Sequence, residues 1–161
     1  MGEVRKAGPS DCSGMAEILN EIIAEGGTTA LTEPVTAQVL KDWMAAPGRS
    51  AWHVALDGRG AVIGFQWLGE QGYLPPEAID IATFVKRGQA GLGIGSALFD
   101  ATRQASMKMD AGWINANIRA DNEGGLIYYQ SRGFRTYDHW QGYKMANGQV
   151  VDKVLKRFDL D

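Results

Sequence analysis

The sequence predicts a mixed α/β fold, one sheet with helices packed against it. Three observations lead there. Runs rich in β-branched and aromatic residues are interleaved with runs whose apolar residues recur at i, i+3 and i+4. Gly and Pro clusters mark the boundaries between them. Their order, β-α-α-β-β-β-α-β-α-β-β, then implies a mixed sheet with helices laid on it.

Each element has its own signal. Val4-Arg5-Lys6-Ala7 reads as a short first strand, stopped at Pro9-Ser10-Asp11, which also supplies an N-cap candidate. Met15, Ile18, Leu19, Ile22 and Ile23 fall at helical spacing, and Gly26-Gly27 ends that helix. Residues 28–34, Thr-Thr-Ala-Leu-Thr-Glu-Pro, read as a polar, irregular loop. A second helix is expected from about Thr36 to Met44, stopped by Pro47-Gly48. Residues 52–56 and 61–68 flank Asp57-Gly58 in a hairpin pattern. After Pro75-Pro76, the strand Ile79 to Val85 runs into a glycine-rich loop. A helix over Ser96 to Gln104, a strand over Trp113 to Ile118 and a shorter helix over Gly125 to Ser131 follow. Strands at Phe134 to Tyr137 and Val150 to Phe158 complete the order.

Composition narrows the function. A chain of 161 residues without repeats or linkers reads as one domain, residues 1–161. A net charge of −3 argues against a general nucleic-acid binder, which needs clustered Lys and Arg. The densest basic stretch, Lys153-Val154-Leu155-Lys156-Arg157, has the look of a strand rather than a binding arm. Cys12 stands alone, so no intrachain disulfide forms, and two histidines with one cysteine are too sparse for a zinc site. No metal is expected. The absence of a signal-type apolar stretch or a membrane-length run makes a cytoplasmic protein without membrane contact the default expectation.

Most of the functional information lies in residues 84–99. Gly91, Gly93 and Gly95 sit between a strand and a helix, so the backbone can turn sharply there and leave its N–H groups uncovered. The helix start behind them offers unpaired donors and about half a positive charge, an anion site suited to a phosphate-bearing cofactor. A P-loop is excluded because no Gly-Lys-Ser/Thr appears. A dinucleotide-dependent oxidoreductase, prompted by these glycines and by Asp121 after a strand, fails on the missing final Gly-x-x-Gly step and the missing second β-α-β half.

Gly93-Ile94-Gly95, followed by Ser96-Ala97-Leu98-Phe99, resembles the Arg/Gln-x-x-Gly-x-Gly/Ala signature of the GCN5-related N-acetyltransferases, the GNAT superfamily. Asn122, Tyr129 and Gly133-Phe134 are similar to a second signature of that family, in the right order and spacing. The early Gly-Gly-Thr-Thr-Ala-Leu loop and the tail from Asn147 look most like the phosphinothricin and amino-acid N-acetyltransferase branch. That branch commonly has His at the position of Tyr129. Ala90 stands at the Arg/Gln position, with Gln89 and Arg87 as neighbours able to replace its contact.

The resemblance implies a mostly antiparallel central sheet with helices on both faces. It implies an acetyl-CoA-dependent N-acetyltransferase acting on the primary amine of a small molecule, an amino acid or analogue, in a ternary complex. Homodimers are common among the resembling proteins. Gln89, Ala90, Gly91, Leu92, Gly93, Ile94, Gly95 and Ser96 are then the pyrophosphate loop. Thr83, Phe84 and Val85 offer backbone groups to the pantetheine amides, as a strand does to an added strand. Asn122 is an N-cap, a pantetheine contact, or both. Tyr129 is the acid for the coenzyme A thiolate, with Tyr128 assigned to packing.

An acyl acceptor amine is mostly protonated at neutral pH, so a nearby carboxylate is needed, directly or through water. Asp80 lies in an otherwise apolar strand and matches a base Glu of the resembling branch; the alternative is a strand cap or a partner for a surface cation. Being one methylene shorter, it favours a water relay. Glu77 is the substitute. Thr28, Thr29, Glu33 and Trp67 are candidates to line the amine pocket, while Trp43, Trp113 and Trp140 read as packing. His53, His139 and Cys12 receive no catalytic role. A non-catalytic acyl-CoA-binding module and a peptide or protein N-acetyltransferase are the competing functions.

Overall fold

The computed structural model describes residues 2–89 and 93–160. In chain order the elements are β1 (Val4–Lys6), α1 (Cys12–Glu25), α2 (Ala37–Ala45), β2 (Ser50–Leu56), β3 (Val62–Gly69) and β4 (Ala78–Val85). They continue with α3 (Ile94–Lys108), β5 (Trp113–Arg119), α4 (Glu123–Arg132), β6 (Arg135–Lys144) and β7 (Val150–Asp159). The seven strands form one sheet in the order β1-β2-β3-β4-β5-β7-β6. Every neighbouring pair is antiparallel but one, β4 with β5. Among the described residues no helix is long and apolar enough to cross a membrane.

Side-chain alternation puts a helical layer on each face. Trp52, Val54, Leu56, Phe65 and Phe84 point to one face and are buried with Met15, Leu19 and Ile22 of α1 and Leu40 of α2. Ile79, Ile81, Ile114 and Ala116 point to the other and pack with Phe99 of α3 and Tyr129 of α4. Ile63 and Ala55 join that second layer beneath Ile94 and Leu98 of α3. Gly64 is what lets α3 come down on the sheet, since a Cβ there would stand 3.1 Å from Ile94 Cγ2.

The parallel pair is also where the sheet opens. Its register runs Ala78↔Trp113, Ile79↔Ile114, Asp80↔Asn115 and Ile81↔Ala116, then stops. β4 continues to Val85 still paired with β3, and β5 continues to Arg119 still paired with β7. The two strands therefore diverge, and one edge of residues 82–85 has no strand beside it.

Two local expectations need correction. Asp11 does not cap α1: its carboxylate accepts the Gly8 N–H at 2.8 Å and two bonds from Arg5 at 2.8 and 3.0 Å, pinning β1 to the 3-10 turn Pro9–Asp11. Thr36 is a true cap, its hydroxyl accepting the Val39 N–H at 3.1 Å. The strand anticipated over residues 134–137 runs instead from Arg135 to Lys144 with two register shifts. As an edge strand it is exposed along almost its whole length, so burial imposes no alternation on its sequence.

Candidate active site

The divergence of β4 from β5 opens a cleft of about 1240 Å³ that reaches from the start of α3 to the segment after α1. At one end α3 begins on Gly93, whose φ of +77° is a left-handed conformation that glycine adopts without strain. The first helical bond of that turn runs from the Ala97 N–H to the Gly93 carbonyl, so the N–H groups of Ile94, Gly95 and Ser96 have no partner inside the helix. Gly95 is pressed against Tyr128: a Cβ would stand 2.5 Å from its ring. The Arg132 guanidinium donates to the Ser96 hydroxyl, adding a full positive charge beside the helix start. Backbone donors, helix dipole and an arginine together make an anion site. Ala90, Gly91 and Leu92 lie outside the described residues.

In the middle of the cleft, Thr83 and Tyr129 face each other across the gap, their hydroxyls 2.7 Å apart. Gln66, opposite Thr83 in the β3–β4 register and fully buried, donates to the Thr83 hydroxyl at 3.1 Å and to Tyr128 Oη at 2.8 Å. Tyr128 in turn donates to the Gly95 carbonyl at 2.7 Å. One chain of hydrogen bonds thus links the anion site to Tyr129. Burial pushes both phenols well above the ordinary tyrosine range, so both keep their protons at neutral pH.

Asp80 lies three residues before Thr83 on β4, paired with Asn115 and on the opposite face of the sheet, half-buried and lining the cleft. Desolvation pushes its carboxyl up to about 7, against the opposing pull of the Asn115 hydrogen bond at 2.8 Å and of the positive charge on Lys153. Asn115 and Asn117 both donate to Tyr73 Oη, at 3.2 and 3.1 Å, and Tyr137 donates to Asn115 Oδ1 at 2.5 Å. The carboxylate is therefore held in a fixed orientation by a polar layer on β5, roofed by tyrosines. Glu77 is not in this group; it is exposed at the entry to β4, beside Gly112.

The far end is walled by aromatic rings. Trp67 is stacked between Trp52 and Trp43, with centroid distances of 4.3 and 5.1 Å, and Tyr73 meets Trp140 edge-on at 4.9 Å. Residues 28–35 close over this end, tied down by two side chains, the buried Arg119 and the half-buried Asn122. Arg119, clamped by Asp121 at 2.7 and 2.9 Å, donates to the Thr29 carbonyl at 3.1 Å. Asn122 accepts the Gly125 N–H at 3.0 Å, capping α4, and donates to the Thr28 carbonyl at 3.3 Å. Arg87 is held by Glu25 at 2.5 Å and by the Thr28 hydroxyl at 3.1 Å, which fixes its guanidinium on the α1 side of the cleft.

The GNAT acetyltransferase family model matches residues 15–134. The chain belongs to this family. Its GNAT fold is shared with an N-acetyltransferase from Staphylococcus aureus Mu50 (21% identity, TM-score 0.88, covering 98% of each chain). It is likewise similar to a ribosomal-protein-alanine N-acetyltransferase from Brucella melitensis (19% identity, TM-score 0.88, 98% of this chain and 99% of that one). A third likeness is to a GNAT superfamily phosphinothricin acetyltransferase from Sinorhizobium meliloti in complex with acetyl-CoA (20% identity, TM-score 0.83, 98% and 87%). No curated protein sequence matches the chain.

For a GNAT chain, the sequence located most of the cleft. Asp80, Thr83, Phe84, Val85, Gln89, Gly93, Ile94, Gly95, Ser96, Asn122 and Tyr129 all line it, as do Thr28, Thr29, Glu33 and Trp67. Three aromatic residues assigned to packing belong to it as well. Tyr128 carries the hydrogen-bond relay to Gly95, Trp43 stacks on Trp67, and Trp140 stands over Tyr73. Trp113 is packing, with Arg157 lying 4.0 Å from its ring centroid. Gln66, Tyr73, Asn115, Asn117, Arg132 and Lys153 were missed. The legible sign was polar residues at inward positions of strands, Asn115 and Asn117 in Trp-Ile-Asn-Ala-Asn-Ile above all.

Proposed function

We propose that this protein transfers an acetyl group from acetyl-CoA to the primary amine of a small molecule, an amino acid or close analogue, by direct attack in a ternary complex. The observation that carries this reading is the divergence of β4 and β5, which brings an anion-binding helix start, an unpaired strand edge and an acid–base pair into one cleft. The residues present fit the co-substrate. Ile94, Gly95 and Ser96 backbone donors with Arg132 suit a pyrophosphate, and the free edge of residues 82–85 suits the amides of a pantetheine arm. Acetyl-CoA supplies a thioester carbonyl for the amine to attack and a thiolate to leave.

The chain's own groups then divide the proton work. Asp80, with a pKa near 7, accepts the proton of the attacking amine, directly or through one water. Tyr129 gives its proton to the departing sulfur. The relay favours that direction: the Thr83 hydroxyl already accepts from Gln66, so its own proton is available to Tyr129 Oη, leaving the Tyr129 O–H free to point into the cleft. Gln66 and Thr83 act on Tyr129 as positioning residues.

Thiol release from acetyl-CoA, measured against free L-amino acids, methionine sulfone, methionine sulfoximine, phosphinothricin, polyamines and a short peptide, tests this. The expected result is turnover with one class of small amine, reduced on the order of 100-fold or more in Tyr129→Phe. Acetyl-CoA binding without thiol release for any acceptor would make the protein a binding module instead. Preference for the peptide would move it to protein acetylation.

A further inference from the structure

Lys153 is a cation for which the chemistry above has no task. It stands on β7 opposite Arg119, is only 7% exposed, and lines the cleft together with Asp80. Its Nζ donates to Asn117 Oδ1 at 3.2 Å and lies 4.5 Å from the centroid of the Tyr143 ring. Among the described residues no carboxylate stands at ion-pair distance from it. The arginines of the cleft are differently placed: Arg87 is paired with Glu25, Arg119 with Asp121, and Arg132 holds Ser96.

An ammonium has three donors, and a neutral amide satisfies one of them. Burying it in that state is unfavourable, and desolvation accordingly pulls the Lys153 pKa below the ordinary lysine value, with Asp80 pulling the other way. Such a group is half of an ion pair, and the cleft beside it is open to a ligand.

We infer that Lys153 binds the carboxylate of the acetyl acceptor, so that the acceptor is an α-amino acid rather than a simple amine. The assignment rests on the acetyl-transfer reading of the same cleft. Its geometry comes from β5. Asp80 is bonded to Asn115 and Lys153 to Asn117, two residues further along one face, a step of about 7 Å along a strand. An amine one hydrogen bond from Asp80 and a carboxylate one hydrogen bond from Lys153, each about 2.8 Å, leave a short span. The adjacent amine and carboxylate of an α-amino acid fill it. The zwitterion meets a carboxylate at its positive end and an ammonium at its negative end. Tyr73, Trp140 and Tyr143 surround the space left for its side chain.

The test pairs each of the twenty L-amino acids with its primary amide, which keeps the amine and loses the negative charge. Binding is read by calorimetry on protein saturated with coenzyme A, and turnover by thiol release. Wild-type protein is expected to bind and acetylate one group of acids in preference to their amides. Lys153→Met, which keeps the stem under Tyr143, is expected to lose roughly 30-fold in kcat/KM for those acids, mostly through KM, and far less for the amides. Lys153→Arg recovers part of the loss, and the KM for acetyl-CoA stays constant in both variants. Equal use of acid and amide by the wild type, or an equal loss of both in Lys153→Met, overturns the assignment, as does absence of amino-acid binding by protein that still binds acetyl-CoA. Failure of the acetyl-transfer reading registers separately, as acetyl-CoA binding with no thiol release for any acceptor, polyamines and the short peptide included.

Discussion

Asp80 combines two demands that pull against each other. A base for an amine, the role proposed for Asp80, is most useful with a pKa near the working pH, and burial beside Asn115 pushes this carboxyl up to about 7. The same burial disfavours folding. An unfolded Asp loses its proton near pH 3.9, whereas the folded one holds it until about pH 7, so between these values the folded state binds more protons. Stability therefore falls as pH rises through that window, and the full penalty is present above it. Asp80→Asn does not titrate and keeps an oxygen for Asn115. Its kcat/KM should drop by 100-fold or more, and the wild-type rise in rate through about pH 7 should vanish. Thermal denaturation at pH 8 should find the variant more stable than wild type, by an amount on the order of 2–4 kcal/mol, with the gap closing toward pH 4. A variant that is less stable at pH 8 would show that the Asn115 hydrogen bond and the positive charge of Lys153 outweigh desolvation. Asp80 was legible because a charge in an apolar strand breaks the local pattern. Lys153 was not, since in Lys-Val-Leu-Lys-Arg it looks like one more exposed strand cation.

At the scale of the element, α3 works through its first turn. Gly93 provides the left-handed entry, and Gly95 gives Tyr128 room to reach the Gly95 carbonyl. Gly95→Ala should displace the Tyr128 ring, cut the relay through Gln66, and weaken acetyl-CoA binding by 10-fold or more in calorimetry. The melting temperature should fall as well, by several degrees for about 1–3 kcal/mol of overpacking. Glycine spacing made this turn readable from sequence. Tyr128 was misread because adjacent helical residues point in different directions, which seemed to allow only one of the pair a place in the cleft. α4 instead lies over the mouth of the gap, so Tyr129 reaches Thr83 while Tyr128 reaches Gln66 and Gly95. β6 shows the opposite limit: its Tyr137, Trp140 and Tyr143 meet the site across two register shifts that no periodicity encodes.

Taken whole, the molecule is two sheet sections, β1 to β4 and β5 to β7, fastened by four residue pairs of a parallel ladder. The order of elements was readable because buried strands and amphipathic helices each leave a periodic trace. The parting of β4 from β5 leaves none, because both strands stay regular on their outer sides. A ligand lying in the gap contacts both sections, so acetyl-CoA at 100 times its Kd should stabilise the protein by about 2.7 kcal/mol. Amide exchange should then slow at residues 82–85 and 117–119, with little change in β1 or β2. Equal protection everywhere, or none in the gap, would place binding elsewhere. The gap also answers a hazard common to sheet proteins. A strand with free pairing groups invites other chains to add to it and seeds aggregation. Here the free stretch is four residues long, lies inside the sheet, and is overhung by Tyr129 on one side and by residues 28–35 on the other. A slender flexible molecule can enter and a second polypeptide strand cannot continue past Ala116, so the backbone pairing proposed for the pantetheine arm comes without an open invitation to polymerise.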